Sequence, residues 1–254
     1  MKEIGNESIG VSTTRDVGIL EKRAEILSSK SLAFEDVLVN FPVFTRRIHI
    51  TRFLAHYELY KMIQNIPGSI VELGVFKGAS LFAFAHFLEI FNHGDRSRKV
   101  IGFDSFEGLQ NFTEEDGAIN PEHGKVAGGW GAGVGFEGEL LSMMDLFSQE
   151  SFVPQAKRME LVKGDILETV PRYVAENPGL RISLLHFDCD LYEPTLIGLK
   201  NLVPLMLPGG LIVFDEFAIT AWAGETKAVE EYFGQGKRIE KFSWTTSPGG
   251  FIRF

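Results

Sequence analysis

Two groups of acidic residues in the second half of the chain have the composition of a site for a hard cation. Asp188 and Asp190 follow the apolar run ISLLHF, and Asp215 with Glu216 follows the run LIVF. If both runs are neighbouring parallel strands, the carboxylates meet at one edge and repel one another unless a cation or a proton lies between them. Oxygen ligands without clustered His or Cys suit Mg²⁺ or another divalent cation. We therefore predict a metal site formed by Asp188, Asp215 and Glu216.

A divalent cation at this position indicates chemistry on a hydroxyl group. Two vicinal hydroxyls of a substrate could replace its waters, and coordination lowers the pKa of a hydroxyl so that it becomes a nucleophile near neutral pH. The alternative is that Asp188 contacts only a cofactor and Asp190 caps the helix that follows. His123 lies in a segment that could close over a substrate, which makes it a candidate catalytic base. His86 and His186 fall within apolar runs and are interpreted as core residues.

The stretch SIVELGVFKGAS, from Ser69 to Ser80, has the pattern of a cofactor-binding corner. A buried strand, a glycine turn and a helix N-terminus in that order lie at the ligand edge of open α/β sheets. Gly74 permits a sharp turn and the close approach of a ligand. Glu72 stands where a dinucleotide fingerprint has its first glycine, so it would repel a pyrophosphate and accept from an ammonium group. S-adenosylmethionine (SAM) carries an ammonium group and no phosphate, and is therefore the predicted cofactor. The alternative is a surface glutamate beside glycines that serve only the turn.

Two further acids follow predicted strands on the same edge of the sheet. Asp104 ends the strand KVIGFD, where an acid accepts hydrogen bonds from the ribose hydroxyls of either SAM or NAD. Asp165 follows the strand Met159–Lys163 and could accept from the adenine amino group or cap the next helix. Both positions fit a cofactor that contains a nucleoside.

The elements that position these residues alternate between strand and helix. Five apolar runs, each followed by a helical pattern, precede two alternating segments, 238–244 and 250–254, joined by TTSPG. This ending predicts a terminal antiparallel hairpin. The expected fold is α/β, with the doubly wound, seven-stranded, mostly parallel sheet of the Rossmann-like class I SAM-dependent methyltransferases. Dehydrogenases usually continue with further βα units, so the pattern favours methyl transfer over hydride transfer.

A helix is predicted in front of the first strand. The pattern from Ile48 to Ile66 places five apolar residues at helical spacing, namely Phe53, Leu54, Tyr57, Tyr60 and Ile63. Pro67-Gly68 ends the helix directly before the strand. We expect this amphipathic helix to pack across the glycine-rich edge of the sheet.

The remaining segments are interpreted by their composition. Residues 1–66 are expected to form an N-terminal arm and a helical cap, and residues 67–254 the methyltransferase domain. The arm could cover a ligand or pack on a second subunit, which predicts a homo-oligomer. The glycine-rich stretch at about 106–138 is too long for an ordinary loop, and we predict a lid with Trp130 and Phe136 as its apolar contacts.

Composition excludes several classes of function. The formal net charge is −9 at pH 7, which argues against a nucleic-acid partner. The sequence lacks a run of about 18 apolar residues, so we expect no membrane contact. Cys189 is the one cysteine of the chain, which excludes an intrachain disulfide and fits a reducing cytoplasm.

Several segments together resemble the macrocin O-methyltransferase family of sugar O-methyltransferases. The resemblance covers roughly residues 48–233 and depends most on FDCDLYEPT in combination with FDE. The other matching segments are VELGVFKGAS, IGFDSFEG, LVKGDI, PGGLIVFDEF and WAGET. The resemblance implies a metal-dependent SAM methylase that acts on a small-molecule acceptor, a sugar hydroxyl of a natural-product glycoside or a sugar nucleotide.

The same resemblance implies roles for individual residues. The SAM pocket would be formed by Glu72, Gly74, Ser80, Asp104, Ser105 and Asp165, with Gly164 beside them. Asp188, Asp215 and Glu216 would hold the metal, and Asp188 would also contact the cofactor and assist deprotonation. Many members have two aspartates where this chain has Asp215-Glu216, and the longer glutamate changes the reach of that ligand. The alternatives are a catechol or phenolic acceptor, an NAD(P)-dependent oxidoreductase and a non-catalytic SAM-binding module.

Overall fold

Six strands form one sheet in the computed structural model, which describes residues 14–28, 32–121 and 124–254. The strands are β1 (Ser69–Leu73), β2 (Val100–Asp104), β3 (Met159–Lys163), β4 (Ile182–Phe187), β5 (Met206–Phe214) and β6 (Gly250–Arg253). Their order is β3-β2-β1-β4-β5-β6; the first five run parallel, and β6 pairs antiparallel with β5. β1 and β4 are buried along their whole length, which explains why both read as nearly continuous apolar runs.

Helices cover both faces of the sheet, as the alternating pattern predicts. The described helices are α1 (Thr14–Leu27), α2 (Phe34–Val39), α3 (Phe41–Phe44), α4 (Arg47–Ile63), α5 (Ala79–Phe91), α6 (Phe136–Glu150), α7 (Ile166–Glu176), α8 (Tyr192–Leu202) and α9 (Ala223–Phe233). One hydrophobic core includes residues of α4, α5 and α6, and the other includes residues of α7, α8 and α9. Successive strand residues alternate between these cores, as Ile70 and Val71 do. The doubly wound α/β prediction is confirmed.

The terminal hairpin differs from the prediction. β6 forms, but the segment 238–244 makes only an isolated antiparallel bridge, between Glu240 and Phe251. Ring packing holds this segment instead of a ladder. Phe242 packs on Phe251 and Trp244 stacks on Phe242, each pair with ring centroids 5.3 Å apart. Side-chain packing and one pair of backbone hydrogen bonds hold the segment 238–244 against β6. The segment forms no ladder, so the described sheet has six strands instead of seven.

The glycine-rich segment is held by specific contacts along much of its length. Leu109 donates its N–H to Gly129 O at 2.8 Å. A Cβ on Gly108 would come within 2.5 Å of the same oxygen, so this crossing requires glycine. Lys125 is buried and donates to Ala221 O at 2.8 Å, which ties the segment to the loop before α9. The segment is therefore packed here, and its closure over a ligand stays a prediction.

The N-terminal part includes the helix α1, which its polar sequence did not indicate, and the short helix α2. Phe34, Val39 and Val43 of α2 and α3 are 78%, 72% and 72% exposed. Exposed apolar residues this close together indicate a contact surface. The homo-oligomer stays a prediction that a molar mass from light scattering tests. None of the described helices is both long and apolar enough to span a bilayer, and residues 1–13 of the predicted arm lie outside the described residues.

Candidate active site

The predicted metal ligands meet where β4 and β5 end. Asp188 N–H donates to Leu73 O of β1 at 2.8 Å, and Asp215 N–H donates to Phe187 O of β4 at 3.0 Å. The strand ladder therefore continues into both residues and sets their positions. One carboxylate oxygen from each of Asp188, Asp215 and Glu216 lies within 4.8 Å of the other two. The parallel register brings three oxygen donors to one point.

A cation that the sequence reasoning missed, Arg52 of α4, lies on two of these carboxylates. Its Nη2 atom contacts Asp188 Oδ2 and lies 3.1 Å from Asp215 Oδ2. Burial opposes the charge of the guanidinium, but the two carboxylates outweigh it and raise the pKa of Arg52. The metal-site prediction therefore has to account for a positive charge that the protein itself supplies.

The rotation of α4 explains how Arg52 reaches the site. The buried residues of this helix include His56, Leu59 and Ile63, and Arg52 precedes His56 by four positions, so it lies on the same face. The predicted inner positions Phe53 and Leu54 were wrong, since these side chains are 43% and 45% exposed. Arg52, His56, Leu59 and Ile63 are separated by four, three and four residues. This helical spacing was the signal in the sequence that Arg52 lies on the inner face of the helix.

His186 is buried, as its apolar run indicates, and it also links the two predicted sites. Its Nδ1 lies 3.0 Å from Glu72 Oε1, and its Nε2 lies 3.7 Å from Asp215 Oδ1. Burial alone would lower the pKa of His186, but the neighbouring Asp215 and Glu72 carboxylates raise it to about 10. The position of His186 between Glu72 and Asp215 therefore favours the protonated imidazole. The His56 ring packs against it, with centroids 5.4 Å apart.

The charge balance of this edge fits an additional cation. Glu216 Oε2 is buried and has no hydrogen-bond partner among the described residues. Burial and the neighbouring Asp190 and Asp215 carboxylates raise the pKa of Glu216 well above its usual value. Burial also raises the pKa of Asp188, although Arg52 acts against this shift. A divalent cation would relieve the repulsion, so the donor set fits the predicted group.

The interpretation of Asp190 as a helix cap is wrong. α8 begins at Tyr192, whose N–H donates to Asp116 Oδ1 at 2.7 Å. The capping carboxylate thus comes from the glycine-rich segment, far away in sequence. Asp190 itself has a φ of 62°, a left-handed conformation that aspartate tolerates better than most residues. In the chain, Asp190 lies between Asp188 at the end of β4 and the N-terminus of α8.

Gly74 has a structural reason for being glycine. Its φ is +88°, and a Cβ there would overlap the carbonyl oxygen of Asp188. The turn after β1 and the end of β4 therefore touch through their backbones. This contact favours the alternative that the glycine serves the turn, and it also places Asp188 directly beside the predicted cofactor corner.

Alanine at position 74 is expected to destabilise the protein by roughly 3 kcal/mol or more, because both the dihedral angle and the overlap oppose a side chain. Gly94→Ala is the matched control, since a Cβ there meets nothing within 4 Å and its φ is ordinary. Urea unfolding of the two variants measures the difference. Equal midpoints for Gly74→Ala and Gly94→Ala would contradict the backbone contact with Asp188.

Asp104 ties the glycine turn to β2. Its Oδ2 accepts from Val75 N and Phe76 N, both at 2.7 Å, and its Oδ1 accepts from Phe106 N at 2.6 Å. A carboxylate has about four acceptor positions, so about one is left for a ribose hydroxyl. The ribose role of Asp104 stays a prediction, and the three backbone bonds orient the carboxylate for it.

The other predicted cofactor residues lie on the same edge of the sheet: Ser80, Ser105, Gly164 and Asp165. Asp165 caps α7, because its Oδ1 accepts from Leu167 N at 2.9 Å. Ser105 Oγ accepts from Glu107 N at 3.1 Å, and Ser80 is buried in the first turn of α5. The cap accounts for one oxygen of Asp165 and leaves its adenine role as a prediction.

The glycine-rich segment contacts the cofactor corner through two aromatic rings. Trp130 packs edge-on against Phe76, with ring centroids 6.1 Å apart, and both rings are partly exposed. Phe76 belongs to the turn that follows Gly74, so a movement of the glycine-rich segment would change the contacts of this turn. His123 lies outside the described residues, and its role as a base stays a prediction.

Comparison with protein families identifies the chain. The model described as Macrocin-O-methyltransferase (TylF) matches residues 52–244, which is more than half of the chain. The chain belongs to this family. The macrocin O-methyltransferase assignment confirms the resemblance seen in the sequence and makes the protein an enzyme, a SAM-dependent O-methyltransferase.

Curated relatives and solved structures agree with the macrocin O-methyltransferase assignment. The 8-demethyl-8-(2,3-dimethoxy-alpha-L-rhamnosyl)-tetracenomycin-C 4'-O-methyltransferase of Streptomyces olivaceus is 31% identical over 197 residues, which are 76% of this chain and 68% of that protein. Mycinamicin III 3''-O-methyltransferase of Micromonospora griseorubida is 26% identical, over 70% of this chain and 65% of that protein. CalS11, a calicheamicin methyltransferase, superposes with a TM-score of 0.90 at 28% identity over 100% of this chain and 99% of that chain. The class I methyltransferase fold is thereby confirmed.

The family match includes the candidate site. The macrocin O-methyltransferase match begins at Arg52 and ends at Trp244, so it includes the described carboxylates, His186 and the arginine that contacts them. Helices α1, α2 and α3 precede it. Arg52 therefore lies within the part of the chain that the family model matches.

Proposed function

We propose that this macrocin O-methyltransferase family member methylates a sugar hydroxyl, on a sugar nucleotide or a natural-product glycoside, with a divalent cation held by Asp188, Asp215 and Glu216. The observation that carries the proposal is the convergence of these three carboxylates beside Glu72 at one sheet edge. The names of relatives support the acceptor class. One names a rhamnosyl compound, and CalS11 in its apo structure, with a TM-score of 0.81, is named a TDP-rhamnose 3'-O-methyltransferase.

The cofactor corner fits the amino-acid end of SAM. Glu72 Oε2 is buried without a hydrogen-bond partner among the residues described, while Oε1 is held by His186. An ammonium group would satisfy the orphaned oxygen and remove its desolvation cost. α5 begins a few residues later and has no side-chain cap, so its N-terminal N–H groups can receive a carboxylate. Asp104 would accept from the ribose hydroxyls.

The acceptor hydroxyl would be deprotonated by Asp188. This carboxylate is partly exposed and burial raises its pKa, so it can take a proton near neutral pH. Bound SAM would supply the methyl group: the acceptor oxygen would bond to the methyl carbon as the sulfur–methyl bond breaks, and Asp188 would hold the proton that the hydroxyl has lost. A bound divalent cation would orient the acceptor and lower the pKa of its hydroxyl. The remaining acceleration comes from holding both reactants in line.

A methylation assay with labelled SAM tests this function. We expect transfer to TDP-rhamnose or to a rhamnosyl glycoside, with activity that falls when a chelator is added and returns with Mg²⁺. A catechol offers two neighbouring oxygens without a sugar and is the matched acceptor control. Transfer to the catechol and not to either sugar would reject the sugar proposal, and transfer that withstands chelation would reject the metal.

A further inference from the structure

Two groups of the protein already bind the Asp215 carboxylate, and a third lies close to it. Its Oδ1 accepts from Ser247 Oγ at 2.8 Å and faces His186 Nε2 at 3.7 Å. Its Oδ2 accepts from the same serine at 2.9 Å and pairs with Arg52 Nη2 at 3.1 Å. Each carboxylate oxygen offers about two acceptor positions. The single Ser247 hydroxyl hydrogen serves one of these oxygens at a time, whereas Arg52 Nη2 lies against both Asp215 and Asp188, the position that a cation shared by these two carboxylates would take.

Arg52 is the partner that is free to leave. His186 is fully buried and held on its other side by Glu72, and Ser247 is uncharged, so a cation would not repel it. The Arg52 side chain is 35% exposed, and its long stem can carry the guanidinium into solvent. A divalent cation beside Asp188 and Asp215 would repel the guanidinium directly.

We propose that Arg52 is the internal counter-ion of the metal site. Its guanidinium holds Asp188 and Asp215 together before a divalent cation binds, and the cation displaces it from both carboxylates. The affinity of the site for metal is then set by a competition between two cations. This inference rests on the proposed metal function, and it assigns to α4 a role in metal binding.

A purely structural ion pair would behave differently from a displaceable one. If Arg52 only braced the two strand ends, its removal would splay the carboxylates and weaken metal binding. If it competes with the cation, its removal strengthens metal binding, because no charge-assisted contacts have to be broken. Asp215 keeps Ser247 and His186 in either case, so its orientation survives the substitution. The sign of the change in affinity separates the two roles.

Titration calorimetry of Mn²⁺ and Mg²⁺ on the SAM-free protein tests the competition without an activity measurement. We expect Arg52→Gln to bind the cations about ten-fold more tightly or better, which is about 1.4 kcal/mol. Arg52→Lys, which keeps the charge and loses the fork geometry, should show a smaller gain and covers the case in which the glutamine variant does not fold. Arg253→Gln removes the same charge from an exposed pair with Glu240 and should match the wild type.

A second measurement reports on the guanidinium itself. In the wild-type protein, Mg²⁺ should shift the Nε–H resonance of Arg52, which the Arg52→Lys spectrum identifies by its loss. Unchanged or weaker metal affinity in both Arg52 variants overturns the inference and leaves the metal site standing. Absence of metal binding in every variant and in the wild type overturns the metal site as well, so the two failures are distinguishable.

Discussion

Asparagine in place of Asp215 is expected to lower kcat/KM for methyl transfer by about 10³-fold while SAM affinity stays within about two-fold of the wild type. Asp215 is the carboxylate on which Arg52, Ser247 and His186 converge. An amide has the same shape but no negative charge, and its NH₂ group would face hydrogen-bond donors. The substitution therefore removes a metal ligand and disturbs the orientation of Asp188 through their shared arginine.

The measurement pairs steady-state kinetics with calorimetric SAM binding, because the second shows whether the cofactor corner survives. Asp145→Asn is the matched control, since Asp145 lies exposed on α6 and, in the part of the chain that the structure describes, accepts only from Gln149 at 2.8 Å. We expect that control to retain full activity. If Asp215→Asn turned over normally, or if the wild type worked fully in chelator, the metal mechanism would be wrong.

Features that depend on backbone pattern could be predicted from the sequence. The runs SIVEL and ISLLHF are apolar because β1 and β4 have helices on both faces, and the carboxylates follow because ligand sites lie at the carboxyl ends of parallel strands. Gly74 was predicted as a turn residue from its type alone. The contact between Gly74 and the Asp188 carbonyl depends on the register between β1 and β4, so it could not be predicted from the sequence.

Side-chain partners over long separations could not be predicted. Arg52 and Asp188 are 136 positions apart, and which face of α4 points inward decides whether they meet. That helix carries apolar residues on several faces, so Phe53 and Leu54 looked as suitable for the interior as Ala55 and His56. Apolar residues were not confined to one face, so the sequence did not determine which face of α4 is buried. Arg52 was therefore not predicted to lie at the site.

His186 shows the same limit from another side. Its neighbours Leu185 and Phe187 are core residues, so the local pattern predicts a core histidine. The ring is buried, but its partners Glu72 and Asp215 come from β1 and from the end of β5. Only the strand order β1-β4-β5 places an imidazole between the two carboxylates. A polar residue such as His186, within an apolar run predicted to be a central strand, therefore indicates polar partners on the neighbouring strands.

Glutamine in place of Glu72 is expected to weaken SAM binding about 10- to 100-fold, because a charge-assisted hydrogen bond is worth about 1.5–3 kcal/mol. Calorimetric titration with SAM measures the effect. Glu89→Gln is the matched control: Glu89 is also buried, pairs with Arg158 Nε at 3.1 Å and lies on α5 far from its N-terminus. Both variants lose a buried ion pair, so both should unfold more easily, but only Glu72→Gln should lose SAM affinity.

The two oxygens of Glu72 make this test specific. Oε1 bonds to His186, and a glutamine placed with its carbonyl oxygen there keeps an acceptor for the imidazole. Oε2 is the atom without a partner among the described residues, and the glutamine replaces it with an NH₂ group that would repel an ammonium. A loss of SAM affinity would then come from Oε2 and not from a collapsed His186. Wild-type SAM affinity in Glu72→Gln would instead limit Glu72 to fixing His186, and the cofactor ammonium would need another acceptor at this edge of the sheet.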